Sequence, residues 1–63
     1  MPIVHIHLIE GRSTEKKRAL VKKVTAAIME TIDVPAEAVK IILSDMKRED
    51  YAIGGTLHLD KDG

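Results

Sequence analysis

Two apolar runs, separated by an amphipathic stretch, dominate the hydrophobic pattern of the chain. The first run extends from Pro2 to Ile9 and would carry apolar side chains on both sides of an extended strand. One side would hold Val4, Ile6 and Leu8, and the other Ile3, His5, His7 and Ile9. Such a run is typical of a strand in a sheet that is covered on both faces, as βαβ units and their assemblies provide.

One amphipathic helix is predicted between the two apolar runs. It should begin near Thr14, because Ser13 or Thr14 can accept a hydrogen bond from the unpaired N–H groups of a first helical turn. Apolar residues then recur at helical spacing, at Leu20, Val21, Val24, Ala27, Ile28 and Ile32. The segment Asp33-Val34-Pro35 should end the helix, since a residue before proline avoids helical angles and proline cannot continue the hydrogen-bond ladder.

The second apolar run, from Val39 to Met46, predicts another strand and completes a βαβ unit with a parallel strand pair. After the polar loop Lys47-Arg48-Glu49-Asp50, a small hairpin is predicted around Gly54-Gly55. Its two arms would be Tyr51-Ala52-Ile53 and Thr56-Leu57-His58-Leu59. The predicted fold class is therefore α+β, in a single domain over residues 1–63: one βαβ unit, a small C-terminal hairpin, and a sheet completed by oligomerisation.

The chain is too short to form a large core. A domain of this size buries only about 60% of the surface that its unfolded form exposes. Its 63 residues include no Cys, Trp or Phe that would reinforce such a core. Because two strands cannot cover both of their own faces, we expect other copies of the chain to supply the missing contacts.

Charge and hydropathy argue against several classes of partner. Ten basic residues balance ten acidic ones, so binding to nucleic-acid phosphates is disfavoured. The apolar runs are far shorter than the roughly 18 residues that a membrane-spanning helix needs, and the N-terminus lacks the pattern of a secretory signal. We expect a cytoplasmic protein that binds neither nucleic acid nor membrane, with which the absence of Cys is compatible.

Pro2 and Arg12 are the first candidates for chemistry. Once Met1 is removed, Pro2 carries a secondary amine, and α-amino groups have an ordinary pKa of about 7.7 to 8.0, close to that of a useful general base. The planar guanidinium of Arg12 suits a carboxylate. At about 3.3 Å per residue, the two ends of this strand lie roughly 25 Å apart or more, so both groups can act on one small molecule only if they come from different chains, as in two antiparallel first strands.

The histidines offer a competing interpretation. His5 and His7 share one side of the first strand and, with His58, could be read as a metal site. Because no Cys or carboxylate stands at a recognisable ligand spacing, packed or interfacial histidines are the better interpretation, and we expect no metal. The sequence also contains no nucleotide-binding loop, nucleophile elbow or thiol.

Several segments, taken together and in order, resemble the 4-oxalocrotonate tautomerase family, in its short-chain subgroup. They are Pro2 after Met1, His7-Leu8-Ile9-Glu10-Gly11-Arg12-Ser13, the amphipathic helix, Val39-Lys40-Ile41-Ile42, Met46 and Ile53-Gly54-Gly55. The resemblance covers nearly the whole chain. It implies a homohexamer, a trimer of dimers, that works without a cofactor as a tautomerase. The substrate would be a small carboxylate, an unsaturated 2-oxo acid such as 2-hydroxymuconate, with Pro2 as the general acid and base.

The resemblance also implies roles for four further residues. Arg12 matches the arginine that holds a substrate carboxylate, and Ile9 matches the residue whose backbone amide helps to bind the substrate oxygen. Tyr51 stands where the family has an aromatic pocket wall. Lys40 departs from the pattern, since the best-known members have a second arginine there; lysine keeps the charge but loses the bidentate fork, which leaves room for a monocarboxylate substrate.

Two alternatives to a tautomerase remain at the level of the sequence. On the same scaffold, a protonated Pro2 beside Arg12 and Lys40 could favour the hydrolytic dehalogenation of a halogenated acrylate, although no obvious carboxylate would activate the water. Alternatively, the chain is a small, non-enzymatic oligomeric binding module in which Pro2 merely begins a strand.

Overall fold

The computed structural model describes residues 2–61, and it contains the predicted βαβ unit followed by a hairpin. Strand β1 spans Ile3–Ile9, helix α1 spans Thr14–Ile32 and strand β2 spans Lys40–Met46. Strands β1 and β2 are parallel, with Ile3 opposite Lys40 and Ile9 opposite Met46. The hairpin strands β3 (Ala52–Ile53) and β4 (Thr56–Leu57) form a separate antiparallel sheet. The predicted α+β class is therefore confirmed.

Both ends of α1 follow from local chemistry. The Ser13 side chain accepts a hydrogen bond of 3.2 Å from the backbone N–H of Lys16, which satisfies one of the unpaired donors of the first turn. At the other end Asp33 adopts a left-handed conformation (φ 58°) and donates its N–H to the carbonyl of Met29 at 3.0 Å. This type of C-cap satisfies a terminal carbonyl before the chain turns towards Pro35.

Short 3₁₀ turns replace parts of the predicted strands and loop. One turn spans Ala36–Ala38, so Val39 caps it and the second strand begins one residue later than predicted. A second turn, Arg48–Asp50, lies within the predicted polar loop. A third, His58–Asp60, shortens the last strand to two residues, because the N–H of Lys61 bonds back to the carbonyl of His58 at 3.2 Å.

The helix covers only one face of the parallel pair. Val4, Ile6 and Leu8 are half-buried beneath α1, and an ion pair of 2.8 Å between Lys17 and Asp45 joins the helix to β2 on that face. Ile3 and Ile42, on the other face, remain 67% and 49% exposed. Within one chain the helix covers only one face, as expected for two strands that cannot cover both of their own faces, and the prediction that other copies of the chain cover the second face stays a prediction.

No side chain is fully buried among residues 2–61. The thin core that the chain length predicts is therefore seen directly. We call the face formed by Ile3, His5, His7, Ile9, Lys40, Ile42, Ser44 and Met46 the open face. Among the described residues, no helix is both long enough and apolar enough to cross a bilayer.

Candidate functional site

Pro2 and Lys40 meet at the end of the sheet where both parallel strands begin. The N–H of Lys40 donates to the carbonyl of Pro2 at 3.0 Å, and Lys40 stands opposite Ile3 in the strand register. Pro2 itself is half-buried. Met1 lies outside the described residues, so its removal stays a prediction. The register brings a cationic residue to the strand end that carries the candidate base.

Ile9 and Arg12 lie at the opposite end of β1. Gly11, with φ 118°, occupies a conformation that residues with a side chain rarely adopt, and it lies in the turn across which the Arg12 side chain reaches back to Ile9. The Arg12 Nη1 atom donates to the carbonyl of Ile9 at 2.9 Å, and the Arg12 side chain is exposed. Within one chain, the seven-residue strand therefore separates Pro2 from Arg12.

The backbone of Ile9 faces the outer edge of the sheet. The carbonyl of Pro2 and the N–H of Glu10 both bond to β2, at 3.0 and 2.8 Å. In a parallel ladder, alternate residues direct their N–H and C=O groups to opposite edges. The odd-numbered residues of β1, among them Ile9, thus direct these groups away from β2. The Ile9 amide lies on an edge that another strand or a ligand can reach.

Tyr51 lies on the hairpin, beyond the end of β2. It is 39% exposed, and its carbonyl accepts a hydrogen bond of 2.7 Å from the N–H of His58. The tyrosine and imidazole rings stand 6.1 Å apart between centroids, tilted by 50°. Sequence reasoning missed this pair, although counting outwards from the Gly54-Gly55 turn places positions 51 and 58 opposite each other.

The histidines of β1 form a stack rather than a chelating pair. The rings of His5 and His7 are 4.3 Å apart between centroids and inclined by 27°, and Nε2 of His5 lies 2.7 Å from the Ser44 hydroxyl. Two nearly parallel stacked rings cannot both point a nitrogen at one ion. In the part of the chain that the structure describes, no group of three or more potential ligands could hold a metal.

An apolar groove of about 470 Å³ runs along the outside of α1 and next to the Ala36 turn. It is lined by Arg18, Val21, Lys22, Thr25, Ala26, Met29 and Ala36. None of the residues predicted for the site lines this groove. The structure thus divides those residues over three places: Pro2 with Lys40, Ile9 with Arg12, and Tyr51 on the hairpin.

The family described as tautomerase enzyme matches residues 2–60 of the chain. A probable tautomerase of Lactiplantibacillus plantarum is 48% identical over 62 residues, which cover 98% of this chain and 97% of that protein. A 2-hydroxymuconate tautomerase of Pseudomonas putida is 42% identical over 57 residues, covering 90% of each chain.

Solved structures of tautomerases are also similar to this chain. The crystal structure of a 4-oxalocrotonate tautomerase homologue superimposes with a TM-score of 0.90 at 40% identity, over 100% of both chains. A heterohexameric 4-oxalocrotonate tautomerase from Chloroflexus aurantiacus also reaches a TM-score of 0.90, at 32% identity, and the alignment covers 95% of this chain and 97% of that one.

Proposed function

Since the chain belongs to the tautomerase enzyme family and is an isomerase, we propose that it interconverts the enol and keto forms of an unsaturated 2-oxo acid such as 2-hydroxymuconate. The non-enzymatic alternative is therefore wrong. One observation carries the proposal: Pro2 directly precedes an edge strand whose far end presents the Ile9 amide and Arg12. The similar protein of Pseudomonas putida, a 2-hydroxymuconate tautomerase, supports this choice of substrate.

Pro2 is proposed as the group that moves the proton. In the neutral form its ring nitrogen accepts the proton of the enol hydroxyl, and the resulting ammonium returns a proton to a carbon of the conjugated system. The pyrrolidine ring fixes the direction of the lone pair. A nearby cation such as Lys40 disfavours the charged form of an amine, which helps to keep the base neutral at its working pH. Removal of Met1 is part of the proposal, because an amide nitrogen is not basic.

Two antiparallel copies of β1 would complete the site. Apart from the Ile9 carbonyl, which accepts from Arg12, the N–H and C=O groups that β1 directs away from β2 have no hydrogen-bond partner among the described residues, and a second copy of the same strand can pair with them. Such pairing reverses one strand relative to the other and thus brings Pro2 of one protomer near Ile9 and Arg12 of its partner. We propose a homohexamer, a trimer of dimers; the heterohexamer of Chloroflexus aurantiacus supports an assembly of six chains.

The remaining residues bind and orient the substrate in this proposal. Arg12 holds a carboxylate with two parallel hydrogen bonds, and the Ile9 amide donates to the substrate oxygen. Tyr51 forms an apolar wall. Lys40 provides a point charge rather than a fork, so it holds an oxygen without fixing its orientation. The site then has one forked cation, Arg12, where two would suit a dicarboxylate. This difference favours a monocarboxylate substrate.

The experiment compares wild type with Pro2→Ala, after mass spectrometry has established that Met1 is absent from both. Ketonisation of 2-hydroxymuconate, followed by its ultraviolet absorbance, should fall strongly, because a flexible primary amine replaces the ring-held secondary amine. A form with one extra residue before Pro2 has only an amide nitrogen and should be inactive. Full turnover by that extended form would overturn the role of Pro2.

The dehalogenase alternative can be measured in the same samples. Chloride release from a halogenated acrylate needs a group that activates water, and the carboxylate of β2, Asp45, is paired with Lys17 at the far end of the sheet from Pro2. We therefore expect enol turnover to exceed chloride release.

A further inference from the structure

His58 is a titratable residue that the proposed chemistry leaves without a role. It is half-buried, whereas its neighbours in the last 3₁₀ turn, Leu59 and Asp60, are exposed. Its backbone N–H donates to the carbonyl of Tyr51 at 2.7 Å, and this bond extends the hairpin ladder by one pair beyond Ala52 and Leu57. The imidazole therefore faces the tyrosine ring across the hairpin, 6.1 Å away between centroids.

We propose that His58 is a positioning residue that holds the Tyr51 ring in place as a wall of the substrate pocket. The inference rests on the proposed function, because that proposal makes Tyr51 a pocket wall. In this proposal the imidazole supports the tyrosine ring and takes no part in binding or converting the substrate. His58 would thus determine how well the pocket binds substrate while leaving the proton transfer by Pro2 unchanged.

The hairpin by itself is a weak support for an aromatic wall. Its strands have two residues each, and a hairpin of this length is marginally stable without further contacts. Both residues of its turn, Gly54 and Gly55, have positive φ, and they contribute no side chain that could pack on the ring. Directly opposed side chains are the main stabilising pairs of an antiparallel ladder. Among residues 2–61, the directly opposed partner of Tyr51 is His58.

The first measurement does not depend on activity. Tyr51 is the chain's one tyrosine and there is no tryptophan, so intrinsic fluorescence reports on this ring alone. We expect His58→Ala to lower the fluorescence anisotropy and to increase quenching by acrylamide, because the ring loses its partner. Asp60→Ala, in the same 3₁₀ turn, is the matched control and should leave both signals unchanged. Identical signals in His58→Ala and wild type would overturn the inference.

The second measurement separates positioning from chemistry. His58→Ala should raise KM for 2-hydroxymuconate about two- to fivefold, the size of one cross-strand contact, with kcat nearly unchanged. His58→Phe, which restores a planar ring but cannot transfer a proton, should recover the KM of wild type. In a Tyr51→Ala background, His58→Ala should have no further effect on KM.

Other results contradict the inference. A loss of kcat that His58→Phe does not restore would make His58 a proton-transfer group, and equal effects of His58→Ala with and without Tyr51 would make its role unrelated to the ring. If wild type itself fails to convert the enol, the proposed function fails, whereas the fluorescence measurement still decides whether His58 holds the ring.

Discussion

A charge placed at the centre of the open face should break the assembly. Ile42 is 49% exposed in the single chain and stands opposite His5 in the strand register. If a second copy covers this face, Ile42→Asp loses the burial of about half an isoleucine side chain, about 1 kcal/mol per copy. It also buries a carboxylate, which costs several kcal/mol per ion even after relaxation. Aspartate is too short to carry its charge out to water.

The two costs together predict the size of the effect. Each protomer carries the substitution, so even if each copy contributes only about 2 kcal/mol of these two costs, an interface that buries one aspartate from each of two copies is destabilised by about 4 kcal/mol. Since 1.4 kcal/mol corresponds to a factor of ten, the association constant should fall by about a thousandfold or more. A protein that is oligomeric at micromolar concentration would then be dissociated at the same concentration.

Size-exclusion chromatography with light scattering, run over a range of concentrations, measures this directly. Turnover of 2-hydroxymuconate should disappear in fractions that contain single chains, because Pro2 and Arg12 lie at opposite ends of one strand, whereas a dimer that keeps two β1 edges paired should retain it. Ala19→Glu is the charge-matched control: it adds the same charge at an exposed position of the helix, where glutamate is well tolerated. The reasoning would be refuted by an Ile42→Asp protein of wild-type size, or by single chains that keep their turnover.

Four further sets of substitutions test individual contacts, and each has its own measurement. Substituting Lys17 and Asp45 singly, and then both together, should give a coupling energy of about 0.2–1 kcal/mol in thermal unfolding. Salt should reduce this coupling energy, because both side chains are partly exposed. A coupling energy that salt leaves unchanged would contradict this. Ser13→Ala should lower the free energy of unfolding by about 1 kcal/mol through loss of the helix cap, whereas Ser13→Asp, which can still cap, should not. Gly11→Ala should lower the free energy of unfolding by about 1–3 kcal/mol, because alanine is strained at φ 118°. It should also raise KM more than it changes kcat, since it displaces Arg12. Equal KM values for the variant and wild type would refute the link between Gly11 and the position of Arg12. Lys40→Arg should shift the ratio of kcat/KM towards a dicarboxylate over a monocarboxylate substrate, and an unchanged ratio would remove this residue from carboxylate recognition.

Local rules in the sequence were sufficient for the elements and for much of the topology. The cap at Ser13 and the stop before Pro35 depend only on neighbouring residues, and the structure places the helix between them. A strand, a helix and a second strand of these lengths favour a parallel pair, which the structure confirms. The rise per residue of an extended strand was also enough to separate Pro2 from Arg12 within one chain.

Which of the two faces of the sheet the helix covers was decided only by the tertiary structure. Both sides of β1 are mainly apolar, so the pattern contained no preference; the helix lies over Val4, Ile6 and Leu8 and leaves Ile3 exposed. The contact that joins helix to strand on that face, between Lys17 and Asp45, spans 28 positions of the chain, and no local rule predicts a pair so far apart.

The sequence by itself determined which residues are available for chemistry, and the tertiary structure decided which of them are neighbours. Lys40 stands beside Pro2 because of the strand register, and His58 faces Tyr51 because the hairpin turn pairs them. The register of the parallel strands depends on hydrogen bonds between segments that are distant along the chain. A linear pattern of residue types describes each segment alone, and for that physical reason it could name Pro2 and Arg12 but not place Lys40 beside Pro2. Tyr51 was named through the family resemblance, and its pairing with His58 follows from the local geometry of the hairpin turn.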